Sequence, residues 1–65
     1  MPVAHIMMLR GRTKAQKAAM GADITEAIHK HSGAPMDVIT IIFTETTRDD
    51  WAQAGTLVSD RPPKA

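Results

Sequence analysis

Apolar and polar positions fall into clear blocks along this chain. Val3 to Leu9 is an apolar run broken only by His5. A run of that length with little alternation predicts a strand covered on both faces, as in parallel sheets. Arg10-Gly11-Arg12 ends the run, and Gly11 is a natural turn residue. Thr13 is followed three positions later by Gln16. This is a capping box: the threonine hydroxyl accepts from a free helix-start amide while the glutamine reaches back to the threonine amide. The helix it opens places Met20, Ile24, Ala27 and Ile28 on one stripe, with Lys14, Lys17, Asp23, Glu26 and Lys30 largely opposite. Gly21 costs such a helix about 1 kcal/mol against alanine, which points to a close backbone contact there. Gly33 stands where a left-handed terminator is expected, and Pro35 prevents the helix from resuming.

Residues 38–44 read Val-Ile-Thr-Ile-Ile-Phe-Thr, rich in β-branched side chains, and predict a second strand. Ile39, Ile41 and Phe43 share the face expected under the helix, and Val38, Thr40, Ile42 and Thr44 share the other. Residues 46–54 are polar and turn-prone apart from Trp51, and residues 55–58 predict a short strand or hairpin arm. Strand, helix and strand make a βαβ unit of the α/β class. The expected organisation is one domain over residues 1–60 with two parallel strands, one helix and a short C-terminal hairpin, then a loose tail over 61–65. Two strands are hardly stable alone, and their edges and one face stay open unless another copy covers them. The topology predicts a subunit of an oligomer.

Composition leads to the same expectation. A chain of 65 residues buries only about 60% of its unfolded surface, so small domains recruit disulfides, a metal or self-association. There is no cysteine, which removes disulfides, thiolate nucleophiles and cysteine-ligated zinc together. His29 and His31 are two apart on the predicted helix and do not face one side, while His5 lies on a separate strand, so no metal site is expected. Net charge is +1 with 43% hydrophobic residues, a balance that demands neither nucleic acid nor an anionic membrane as partner. A DNA-binding role for Arg10, Arg12, Lys14 and Lys17 is disfavoured on the same ground. No secretory or membrane-spanning pattern is present, and a cytoplasmic setting is expected. Met7, Met8, Met20 and Met36 fit core or interface packing. Asp49-Asp50 fits a turn.

The candidate chemistry lies at the start of the chain. Pro2 follows the initiator methionine, and removal of Met1 would leave its ring nitrogen as a free secondary amine. Elsewhere a proline nitrogen is tied up in an amide. An α-amino group has a reference pKa of about 7.7–8.0, and burial lowers it, so a terminal proline in an apolar pocket suits a general base near neutral pH. Arg12, beside a helix start and a strand end, suits the binding of an anion. Trp51 suits a pocket wall at an interface.

Pro2, the strand behind it, Leu9-Arg10-Gly11-Arg12-Thr13, Gln16-Lys17, Ala34-Pro35, Thr44-Glu45, Trp51 and Gly55 occur in an order that closely resembles the 4-oxalocrotonate tautomerase family. The resemblance spans residues 2–60 without gaps. It implies a βαβ subunit in a homohexamer built as a trimer of dimers, working without a cofactor in aromatic catabolism. It implies Pro2 as the general base that carries a proton between an enol, of 2-hydroxy-dienoate or enolpyruvate type, and its keto acid. Arg12 matches the arginine that grips the substrate carboxylate. The Leu9 amide matches a contact to substrate oxygen, and Trp51 matches an aromatic wall.

Two departures stand out. Well-studied members carry a second arginine, supplied by a neighbouring subunit, where this chain has Thr40. Threonine offers one neutral hydrogen bond, and charged ones are about twice as strong. Arg10, in place of a common glutamate, and Arg48 are candidates for restoring that charge. Ala54-Gly55 replaces a frequent Gly-Gly pair, which stiffens the expected hairpin. The alternative activity is hydration or dehalogenation of a 3-substituted acrylate, with Asp49 or Asp50 as the nearest candidate to activate water.

Overall fold

The computed structural model describes residues 2–62. Strand β1 covers Val3–Leu9, helix α1 covers Lys14–Ser32, and strand β2 covers Thr40–Thr46. β1 and β2 pair in parallel, from Val3 opposite Thr40 to Leu9 opposite Thr46. Thr40–Thr46 is followed by a 3-10 turn over Arg48–Asp50 and by the hairpin strands β3 (Ala52–Gln53) and β4 (Thr56–Leu57). The βαβ unit and the C-terminal hairpin are as the sequence predicts.

The caps of α1 are those read from the residue pattern. Gln16 donates its amide to the Thr13 hydroxyl at 3.1 Å, and its side-chain oxygen accepts from the Thr13 amide at 2.8 Å. Gly33 closes the helix at φ 78°, a left-handed conformation that suits a residue without Cβ. His29 fastens the exit, with Nδ1 2.7 Å from the Ala34 carbonyl oxygen.

Several boundaries and faces differ from expectation. β2 begins at Thr40, not Val38, because Met36–Val38 form a 3-10 turn. Its amides are used locally, Val38 to the Pro35 carbonyl and Ile39 to the Met36 carbonyl. The hairpin also starts earlier, at Ala52. On α1 the covered stripe is Lys17, Met20, Gly21, Ile24, Thr25 and Ile28, while Ala27 is exposed. Lys17 belongs to the sheet side because its ammonium reaches the Glu45 carboxylate at 2.7 Å. A Cβ placed on Gly21 would sit 3.8 Å from the Phe43 ring, an ordinary contact, so the glycine is not required by close approach.

The helix covers one face of the sheet. Ala4, Ile6 and Met8 of β1 and Ile41 and Phe43 of β2 are half-buried there. The other face, expected to be covered, is open within the chain. Val3 and Met7 are each 58% exposed and Ile42 is 46% exposed, with His5 bonded to Thr44 Oγ1 at 2.6 Å between them. Among the described residues none is fully buried. The radius of gyration is 15.0 Å, against about 11 Å for a compact chain of this length. This chain has a hydrophobic layer but no interior of its own.

The turn of the hairpin has Ala54 at φ 51° and Gly55 at φ 79°, the doubly positive pattern of a type I′ connection. Arg61, assigned to the tail by sequence, donates to the Gln53 carbonyl at 2.6 Å. Residues 63–65 of that tail lie outside the described residues, as does Met1. Among the described residues no helix is long and apolar enough to cross a membrane.

Candidate active site

Where β1 ends, the chain turns at Gly11, whose φ of 129° favours glycine, and emerges at Arg12 just before the helix cap. The Arg10 amide donates to the Thr46 carbonyl at 2.9 Å, extending the ladder by one bond and fixing Arg10 beside the end of β2. From the other direction come the 3-10 turn and the hairpin. Thr47 holds that turn, its hydroxyl donating to the Asp50 carboxylate at 2.7 Å and its carbonyl accepting the Asp50 amide at 3.0 Å.

Val58 then ties the wall together. Its amide donates to the Trp51 carbonyl at 2.7 Å, and its own carbonyl accepts from Arg48 Nη2 at 3.1 Å. The backbone of one residue thereby ties the Trp51 main chain and the Arg48 guanidinium to the same point.

These elements enclose a concavity of about 570 Å³, within the range of ligand sites. Arg10, Arg12 and Arg48 line it together with Trp51, above Met7, Met8 and Leu9, and Gln53 and Val58 complete its rim. Among the described residues no carboxylate lines it. The one ion pair among them is Lys17–Glu45. The Glu45 carboxyl is held below its ordinary value, chiefly by the Lys17 hydrogen bond and further by the charge of Arg10 nearby. Asp50 lines a separate hollow with Met7, Thr46, Trp51 and Ala52. No grouping of three metal-ligating side chains occurs among the described residues.

The sequence-predicted site residues divide between the two ends of the sheet. Leu9, Arg10, Arg12, Arg48 and Trp51 meet at one end. Pro2 and Thr40 meet at the other, where the Thr40 amide donates to the Pro2 carbonyl at 3.0 Å. Leu9 lies seven residues along the strand from Pro2, about 23 Å at the usual rise. Pro2 and Arg12 of a single chain therefore cannot hold one small acid between them. Gln53 and the Val58 clamp were not anticipated. Val58 carries no pattern signal, because its contribution is made by backbone atoms.

The fold agrees with the comparisons to known proteins. Residues 2–61 match the family described as Tautomerase enzyme. The 2-hydroxymuconate tautomerase of Pseudomonas putida is 38% identical over 55 residues, which cover 85% of this chain and 87% of that protein. The crystal structure of YwhB, a homologue of 4-oxalocrotonate tautomerase, superposes with a TM-score of 0.91 at 34% identity, covering 94% of this chain and 100% of the other. A heterohexameric 4-oxalocrotonate tautomerase from Chloroflexus aurantiacus superposes with a TM-score of 0.88 at 25% identity, covering 92% of this chain and 97% of its counterpart. The chain belongs to the 4-oxalocrotonate tautomerase family and is an isomerase of the tautomerase type.

Proposed function

We propose that this protein is a cofactor-free keto–enol tautomerase acting on an enol carboxylate of 2-hydroxy-dienoate or enolpyruvate type, with Pro2 as amino-terminal general base after loss of Met1. The observation that carries the proposal is the division of site residues between opposite ends of a two-stranded sheet whose β1 edge is free. Two copies joined antiparallel along β1 resolve that division. About a twofold axis at Ile6, residue 2 of one copy stands opposite residue 10 of the other. Pro2 of one chain then faces Leu9, Arg10 and Arg12 of its neighbour, and two equivalent composite sites form. The open apolar face with Val3, Met7 and Ile42 favours further assembly of such dimers, in keeping with a homohexamer.

In that composite site Arg12 receives the substrate carboxylate in a charge-assisted bond. The Leu9 amide is in place to meet a substrate oxygen. Met7, Met8 and Trp51 line the hollow with apolar surface, which lowers the pKa of an adjoining amine and keeps its neutral form available. Neutral Pro2 takes a proton from the enol oxygen or from carbon and returns it to carbon, so the reaction needs only a base and an anion anchor. The absence of a carboxylate from the arginine cavity among the described residues favours this reading over water activation by Asp49 or Asp50.

The test is complementation. Pro2→Ala and Arg12→Ala are each expected to abolish ketonisation of phenylenolpyruvate, followed by ultraviolet absorbance. Co-refolding the two variants in equal amounts should restore about a quarter of wild-type activity, since half the dimers are mixed and each has one intact site. Full activity in Pro2→Ala would reject the base. No recovery on mixing would reject the shared site.

A further inference from the structure

The sheet face turned away from the helix carries one ionisable strand residue among apolar neighbours. Val3, His5 and Met7 of β1 and Thr40, Ile42 and Thr44 of β2 project from it. Val3, Met7 and Ile42 are exposed there. His5 lies among them, and its Nε2 meets Thr44 Oγ1 across the strand pair at 2.6 Å. Charged groups of the neighbouring elements are engaged elsewhere. Glu45 of β2 lies on the opposite face, paired with Lys17 of α1. From the 3-10 turn, Asp50 lines a hollow beside Met7, and its carboxylate accepts from the Thr47 hydroxyl. Arg10, Arg12 and Arg48 line the cavity that Met7 also borders, and their charge disfavours a further cation nearby. Among the described residues His5 has no carboxylate partner.

In the assembly proposed above, this face is covered by other dimers of the same chain. A neutral imidazole bonded to a hydroxyl is covered at little cost, whereas an imidazolium without a counter-ion is not. The β1 seam makes the demand stricter. With the twofold axis at Ile6, residue 5 of one copy stands opposite residue 7 of the other. The two His5 side chains are then diagonal neighbours, about 7–8 Å apart. Protonation places two like charges on one apolar patch.

We propose that His5 is a pH-sensitive catch on the assembly of dimers: neutral imidazoles let the open faces close on one another, and protonation parts them. The inference rests on the homo-oligomer proposed above. Because the assembled state binds fewer protons than the separated dimers, association weakens as the pH falls. A free imidazole has a reference pKa of about 6.5, so each histidine uncovered shifts the equilibrium about tenfold toward dissociation between pH 8 and pH 5.5. Carboxylates, with reference values of about 3.9–4.3, stay ionised over that range.

Sedimentation velocity of the full-length protein over a dilution series tests it, in a fixed low concentration of urea where dissociation is otherwise out of range. For wild type, the concentration at half-dissociation should rise at least about tenfold from pH 8 to pH 5.5. His5→Gln keeps a hydrogen-bonding partner for Thr44 but takes no proton, and its rise should stay under about twofold. His29→Gln and His31→Gln, altered on the helix, should follow wild type. No rise in wild type, an equal rise in His5→Gln, or tighter association at pH 5.5 overturns the proposal and leaves the assembly standing. If His5→Gln does not assemble at pH 8, His5→Leu decides by the same criterion, and failure of both to assemble overturns the proposal. Wild type that sediments at pH 8 only as monomers or isolated dimers overturns the assembly reading, and this inference with it.

Discussion

The amide of Thr40 donates to the carbonyl of Pro2 at 3.0 Å, one bond before the parallel ladder begins at Val3 and Thr40. The backbone of residue 40 is therefore fixed beside the proposed base. The amide bond is independent of side chain, so position 40 can be changed without moving Pro2.

Thr40→Arg is accordingly expected to raise kcat for enol ketonisation by about tenfold or more. A charged donor near a developing oxyanion is commonly worth about 3 kcal/mol, and part of that is lost to solvent at an exposed strand end. Steady-state kinetics on phenylenolpyruvate checks this. An unchanged kcat would mean that position 40 does not face the reacting oxygen.

Ala54 occupies the left-handed region at φ 51°, where an L-residue costs about 1–2 kcal/mol. Ala54→Gly removes that cost but gives the unfolded chain more freedom, worth about 0.5–1 kcal/mol. The net expectation is a gain of about 0.5–1 kcal/mol, read as a shift in the denaturant midpoint. Ala54→Val should lose at least as much.

Gly21 sits in a regular helix with space for a methyl group against Phe43, 3.8 Å away. Gly21→Ala should therefore stabilise the fold by about 0.5–1 kcal/mol through helix propensity alone. Thermal unfolding followed by circular dichroism measures it. A loss of stability would place another contact over this part of the helix in the assembled protein.

The Glu45 carboxyl is lowered in the folded state, first by the Lys17 hydrogen bond. A group depressed on folding adds stability above its unfolded value and loses it as the pH falls through its folded value. The window therefore lies below the ordinary glutamate value of 4.5. Between pH 5 and about pH 3 the wild-type melting temperature should fall more steeply than that of Glu45→Gln. Parallel curves would show that the Lys17–Glu45 pair contributes nothing measurable. The pair is partly open to solvent, so the difference should also shrink in high salt.

The local signals in the sequence translate well where one residue controls one backbone feature. Thr13 and Gln16 make the cap they imply, and Gly33 takes the left-handed turn. The pattern is less informative where a residue serves two demands. Val38 is β-branched and reads as strand, yet Pro35 offers its carbonyl to the Val38 amide and draws residues 36–38 into a 3-10 turn. Lys17 reads as a solvent-facing cation, but its ammonium pairs with Glu45 of the sheet. Ala27 has the right spacing for the core stripe, and too little side chain to be held there. In the site, the grouping of Leu9, Arg12 and Trp51 was legible from the family resemblance. The fastening of Arg48 was not, because its partner is the carbonyl of Val58, an atom every residue possesses.

A chain in which no described side chain is fully enclosed also has an unusual thermodynamic consequence. Under the proposed assembly, much of the apolar surface that stabilises each subunit is removed from water only when copies meet. Its folding is then a mass-action equilibrium, and dilution acts as a denaturant. A substitution at Met7 or Ile42 would change the concentration at which half the protein is folded, so melting temperatures of this molecule compare only at equal protein concentration.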